Sequence, residues 1–212
     1  MRAVLKAKKM LFVCVDIQER LLELMAHKES VVKNANILLQ ATQILQAPLL
    51  VTEQYPKGLG KTHSAIKIPT NTPILEKTSF GIFGDEDIKN HIAKSKCKIL
   101  VFFGIESHIC MLQSIVEARN LGYECYFVAD ASSSRDTLNH DLALEFFRTI
   151  GVNVLPTEAI LFRMLGDSKH EHFKAISNLV KQILESKTTT CHTEPLGEVS
   201  CIESKKDFSL CL

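Results

Sequence analysis

Short, uninterrupted apolar runs alternate with longer amphipathic stretches along this chain. The runs are Leu11–Val15, Pro48–Val51, Lys98–Phe103, Tyr123–Val128 and Val152–Leu155, with a weaker one at Pro73–Leu75. Runs this short, rich in Val, Ile and Phe and lacking polar alternation, suit strands buried on both faces. Between them, Ser30–Gln46, Asp85–Ser95, His108–Leu121, Arg135–Ile150 and Ser168–Glu185 carry apolar positions at helical spacing. Asp85 is placed to cap the second of these helices and Ser132–Ser134 the fourth, while Gly122 and Gly151 stand where helices end. Strict alternation of strand and helix calls for crossover connections and a mostly parallel sheet, so the expected class is α/β. Residues 53–71, punctuated by Pro56, Gly58, Gly60 and Pro69, read as a long loop of the kind that often serves function.

The periodicity fades after Ser186. Residues 1–186 therefore read as one domain and residues 187–212 as a flexible appendage. Cys191, Cys201 and Cys211 recur there every ten residues, a spacing ill-suited to zinc, whose ligands come in pairs two to five residues apart. Seven cysteines are too few for a disulfide scaffold, and an odd number cannot all pair within the chain. Reduced thiols and a cytoplasmic protein are expected. Lys plus Arg number 25 and Asp plus Glu 24, a net charge of +1, which speaks against a dedicated nucleic-acid binder. No apolar stretch approaches the length of a membrane span.

Ligands of an open parallel sheet bind beyond the carboxyl ends of its strands, near the point where strand order reverses. Asp16 directly follows the first run, Glu76 and Lys77 follow the weak run, and Gly104–Cys110 follows the Lys98–Phe103 run and opens a helix. A thiol at a helix N-terminus, with a lysine nearby, is expected to favour its thiolate. Asp16 is placed to take the thiol proton and return it to a leaving group, and backbone amides at the helix start to hold an oxyanion. Cys14, Cys97 and Cys125 are core packing by position, and each of Asp16, Lys77 and Cys110 taken alone has an ordinary structural explanation. The coincidence of the three at strand ends raises the functional reading. His170 and His172, two residues apart on an expected helix, point to different sides, and His108 reads as structural. Neither a G-x-S-x-G elbow nor a phosphate-binding glycine loop is present.

In three segments the chain resembles the isochorismatase-like (cysteine hydrolase) superfamily: Leu11–Gln18, Leu75–Phe80 and Gly104–Gln113. The likeness continues through Val128–Arg135, Thr157–Ile160 and Leu165–Asp167, covering roughly residues 8–184. It is strongest to the isochorismatase domain-containing branch, of which Thr52–Gly60 is typical. The resemblance implies a three-layer α-β-α fold with a six-stranded parallel sheet in the order 3-2-1-4-5-6. It also implies Cys110 as nucleophile, Asp16 as base and Lys77 as third member. A non-proline cis peptide is implied at Ile105–Glu106, with the Glu106 and Cys110 amides facing one oxyanion. Nicotinamidases of the superfamily hold a metal through an Asp-x-His motif, where this chain reads Thr52-Glu53-Gln54-Tyr55, with His63 further along the loop. No metal or other cofactor is expected. Relatives that cleave a vinyl ether commonly lack the cysteine.

The expected activity is metal-independent hydrolysis of a small amide or related C–N bond through a covalent acyl-enzyme. Gln18, Gln54 and Tyr55 are the expected pocket wall, the partner is a small molecule, and the resemblance implies a homo-oligomer. Two other readings stand beside it: a non-catalytic scaffold that keeps the fold, and a thiol redox sensor, which needs a second cysteine near Cys110.

Overall fold

The computed structural model describes residues 5–188, with side chains to residue 183. The chain runs β1 (Met10–Val15), α1 (Glu19–Leu22), α2 (Lys28–Leu45), β2 (Leu49–Gln54), α3 (Pro56–Leu59), β3 (Ile74–Lys77), α4 (Glu86–Ser95), β4 (Ile99–Ile105), α5 (Leu112–Asn120), β5 (Glu124–Ser133), α6 (Thr137–Thr149), β6 (Asn153–Leu155), α7 (Thr157–Leu165) and α8 (Phe173–Thr188). A π-helical turn, Ser107–Met111, joins β4 to α5. All strands pair in parallel, in the order β3-β2-β1-β4-β5-β6.

Every residue of β1 and β4 is buried, as the unbroken apolar runs require of central strands. Their side chains alternate between two cores. Phe12, Cys14, Val101 and Phe103 face the layer of α2, α7 and α8, and Leu11, Val13, Leu100 and Phe102 face that of α4, α5 and α6. Asp85 caps α4 by accepting from the Asp87 amide. The cap of α6 is Asp136, not the serine run, because β5 extends through Ser133 and carries Ser132 and Ser133 in the sheet.

Three further readings are corrected. Residues 53–71 are less irregular than expected: β2 runs on to Gln54, and Pro56 starts the single turn of α3. The nine-residue helix α7 was not anticipated, although Thr157, Ile160, Leu161, Met164 and Leu165 fall at i, i+3, i+4, i+7 and i+8 and are all buried. Finally, α8 begins only at Phe173, so His170 and His172 lie in the turn before it with ring centroids 5.6 Å apart. The expected appendage lies outside the described residues, apart from its first two, which end α8.

Candidate active site

The sheet reverses its winding between β1 and β4, and the chain leaves both strands there. Asp16 follows β1 in the left-handed region, φ 53°, a conformation costly for a non-glycine residue. Two backbone bonds hold it: its amide donates to Thr52 O at 3.1 Å, and its carbonyl accepts from Gln18 N at 2.7 Å. Gly104, near the end of β4, pairs with Val15 at φ 130°. A Cβ on Gly104 would stand 2.1 Å from Val15 O, so the two strands can approach this closely only through glycine. The chain then passes a cis Ile105–Glu106 peptide and enters the π-turn. There the Ile109 and Met111 amides both donate to Glu106 O at 3.1 Å.

Lys77 comes from β3, which is not adjacent to β1. Its Nζ lies 2.7 Å from Asp16 Oδ2, with neither side chain exposed. The ammonium also donates to Gln54 Oε1 at 2.6 Å, to Phe80 O at 3.0 Å and to Ser79 O at 3.2 Å. Thr52 Oγ1 donates to Asp16 Oδ1 at 2.7 Å, while Oδ2 faces the Lys77 charge without a hydrogen bond. Cys110, 6% exposed, faces this pair.

The charge state of the thiol corrects the sequence-based expectation. Burial, reinforced by the Asp16 charge and a hydrogen bond to it, pushes the Cys110 pKa up to about 12, and Lys77 pulls it down only in part. The helix start and the lysine do not win, because the lysine is spent on Asp16 and the thiol is shut away from water. At rest the cluster is a neutral thiol beside a carboxylate–ammonium pair. A nucleophile arises in such a cluster only as the thiol proton moves to a base.

Glu106 is clamped from the β5–α6 connection. Arg135 Nη2 donates to Glu106 Oε1 at 2.7 Å, and Arg135 Nε and N donate to Oε2 at 3.0 and 3.1 Å. Burial raises the Glu106 pKa, but these bonds and the guanidinium charge outweigh it and hold the carboxyl below its usual range. His108 Nδ1 meets Ser134 Oγ at 2.9 Å, a structural contact.

The expected wall residues divide. Gln18 is wholly buried; its Nε2 donates to Gln54 O and Gly60 O, and its Oε1 accepts from Gln54 N, so it braces the β2 end from behind. Gln54 is spent on Lys77 and on Thr78 O, 2.7 Å away. Tyr55 is half exposed and, with Lys57, Thr78 and Asp85, lines a cavity of about 240 Å³ that reaches Lys77. Glu53 accepts from Thr62 N and Oγ1 at 2.7 Å, and His63 faces Glu23. The sequence reading missed Thr52 and Arg135. Thr52 was visible as the polar residue ending an apolar run; nothing in the sequence pairs Arg135 with Glu106.

A family model described as "Isochorismatase domain" matches residues 10–159. The chain belongs to the isochorismatase domain family. Its sheet order and two helical layers are those of the isochorismatase hydrolase fold, and the matched span holds Asp16, Lys77 and Cys110. Among curated relatives, isochorismatase domain-containing protein 1 of Salmo salar is 33% identical over 170 residues, covering 80% of this chain and 60% of that one. This chain thus spans about three-fifths of that relative's length. Isochorismatase family protein 1B of Dictyostelium discoideum is 34% identical over 178 residues, covering 81% of this chain and 85% of the other. Among solved structures, a Caenorhabditis elegans protein named MAR1 ribonuclease superposes with a TM-score of 0.79 at 28% identity, covering 94% of this chain and all of that one. Escherichia coli YcaC, described as an octameric hydrolase of unknown specificity, shares the fold at a TM-score of 0.74 and 14% identity, covering 90% of this chain and 99% of its own.

Proposed function

We propose that this isochorismatase-family protein is a cysteine hydrolase acting on a small amide or related C–N bond, with Cys110 as nucleophile, Asp16 as proton acceptor and donor, and Lys77 as the cation paired with Asp16. The observation that carries this reading is the buried Lys77–Asp16 contact of 2.7 Å beside the Cys110 thiol. A buried carboxylate paired with an ammonium and facing a thiol is placed to take the thiol proton. As sulfur attacks the carbonyl carbon, the thiol proton passes to Asp16. As the tetrahedral intermediate collapses, Asp16 returns it to the leaving nitrogen. Water then releases the acyl group from the thioester, and the same carboxylate takes and returns the proton. The Glu106 and Cys110 amides are our candidates for holding the oxyanion, on the π-turn that the Arg135 clamp steadies.

YcaC of Pseudomonas aeruginosa, solved with hexane-2,5-diol and covalent acrylamide, shares the fold with this chain at 16% identity. Acrylamide is an electrophile of the kind that captures a nucleophile. We also propose a homo-oligomer. Octameric YcaC supports this, as do Leu138, Leu142 and Phe146, which stand exposed at i, i+4 and i+8 on α6. A cytoplasmic site fits the cysteines at 14, 97, 110 and 125, which among the described residues are free and buried. Among the described residues no helix is long and apolar enough to cross a membrane.

The test is a panel of small amides and ureas, with an RNA oligonucleotide included because of the ribonuclease name of the C. elegans neighbour. Amide turnover that vanishes in Cys110→Ala, with an acyl adduct on Cys110 in intact mass, is the expected result. Turnover that survives Cys110→Ala, or cleavage of RNA alone, overturns it. The scaffold reading is favoured by one observation, the near-complete burial of all three side chains, and it predicts no turnover and no adduct across the panel.

A further inference from the structure

A cavity of about 290 Å³ lies at the carboxyl end of β5, between the start of α2 and α6. His27, Ser30, Asp130, Ser133, His140 and Asp141 line it, and none of its residues belongs to the Asp16–Lys77–Cys110 cluster. We propose that this cavity binds a small primary ammonium ion, and that the turn carrying Cys110 senses the occupant through the hydrogen bond between His140 and Ser107. The proposal does not require Cys110 to be catalytic.

The serine hydroxyl protons around the cavity are already spent. Ser30 Oγ donates to Asp130 O at 3.1 Å, Ser132 Oγ to Val128 O at 2.8 Å, and Ser133 Oγ to Ala26 O. What these groups have left to offer a ligand is oxygen lone pairs. The imidazole of His140 follows the same logic. We assign the Ser107 Oγ proton to Ser133 O, 3.1 Å away, which makes the ring nitrogen the donor at the 2.8 Å contact with His140 Nδ1. That assignment leaves Nε2 as the acceptor. Burial lowers the His140 pKa, against the pull of Asp141 and with the help of His27, which keeps that lone pair available. The exposed Asp141 carboxylate adds negative charge at the rim. A wall of acceptors with a carboxylate is complementary to a cation with several N–H donors, and the volume suits a small molecule.

The link to the site is covalent and short. Ser107 is wholly buried and is the first residue of the π-turn whose fourth residue is Cys110. An ammonium donating to His140 Nε2 polarises the Nδ1–H and strengthens its bond to Ser107 Oγ. The turn is then held more firmly in the conformation that buries the thiol.

Ethanolamine is the probe and ethylene glycol, of similar size but neutral, the control. Calorimetric titration of the full chain at pH 8 should show saturable ethanolamine binding, at least tenfold tighter than any ethylene glycol binding. Asp141→Asn, an exposed change, should weaken it at least tenfold. Saturating ethanolamine should slow iodoacetamide labelling of Cys110 at least twofold in the wild type and leave His140→Phe unaffected. No saturable binding, equal binding of ethylene glycol, or full binding by Asp141→Asn overturns the site. Saturable binding with unchanged Cys110 labelling overturns the link to the turn. Either result stands apart from the amide panel, which reads turnover.

Discussion

Lys77 reaches Asp16 across an intervening strand. The two residues end β3 and follow β1, β2 runs between those strands, and Nζ still closes to 2.7 Å of Oδ2. Neighbouring strands lie about 4.8 Å apart, so only a long side chain bridges the gap, and this one passes over Gln54 and binds it on the way. The ammonium is consumed in fixing a carboxylate. Cys110 therefore keeps its proton, and thiol reactivity and turnover are separable properties of the cluster.

On the proposed mechanism, Asp16→Asn should make Cys110 more reactive and abolish hydrolysis. In the wild type, burial first and then the charge and hydrogen bond of Asp16 push the thiol up to about 12. The substitution removes the Asp16 charge as a cause of that elevation, while Lys77 remains to lower the pKa. Labelling by iodoacetamide at pH 8 should therefore accelerate at least tenfold, while hydrolysis falls by at least a hundredfold for want of a base. Labelling no faster than wild type, read by mass spectrometry from pH 6 to 11, would refute the account of the thiol.

Lys77→Met leaves the Asp16 carboxylate buried without its cation. Urea unfolding should show a loss of about 3–5 kcal/mol, the usual cost of orphaning a buried charge. Adding Asp16→Asn to the same chain should recover most of that loss, because two neutral groups then replace the pair. A double variant no more stable than Lys77→Met would show that the two residues do not act on each other.

The Arg135–Glu106 clamp makes an acid-sensitive contribution to stability. A carboxyl held below its unfolded pKa stabilises the fold above that pKa, about 4.3, and loses the contribution as pH falls through its lower folded value. Arg135→Met should cost about 1 kcal/mol at pH 7, a modest figure because the guanidinium is 54% exposed and screened. The difference from wild type should shrink progressively as pH falls below about 4.3. A cost that stays constant from pH 7 down to the acid-unfolding limit, in paired unfolding curves, would mean that Arg135 acts by packing alone.

Gly104→Ala should destabilise the chain by at least about 2 kcal/mol, since the added carbon meets the Val15 backbone and φ 130° is hostile to alanine. Gly122→Ala provides the comparison: φ is also positive there, but the added carbon meets nothing within 4 Å. Thermal unfolding should rank Gly104→Ala well below Gly122→Ala. The reverse order would remove the close β1–β4 approach as the reason for this glycine.

The class, the six strands and the places where Asp16, Lys77 and Cys110 leave them were legible in the sequence. Uninterrupted apolar runs mark strands buried on both faces, and the polar residue after the first run marks the end of β1, although β2 and β5 continue past the ends of theirs. The strand order came from the resemblance, because apolar pattern carries no information about which strand lies beside which. Three features were left to the tertiary structure: the commitment of Lys77 to Asp16 and of Gln54 to Lys77 rather than to the thiol or a pocket wall, the bracing role of Gln18, and the grip of Arg135 on Glu106. Each depends on donors and acceptors 23 to 61 positions apart in the chain, and hydrogen bonds of that span leave no periodicity to read. The charge state of Cys110 belongs with them, since a pKa is set by burial and by the distance to other charges, and both exist only once the chain is folded.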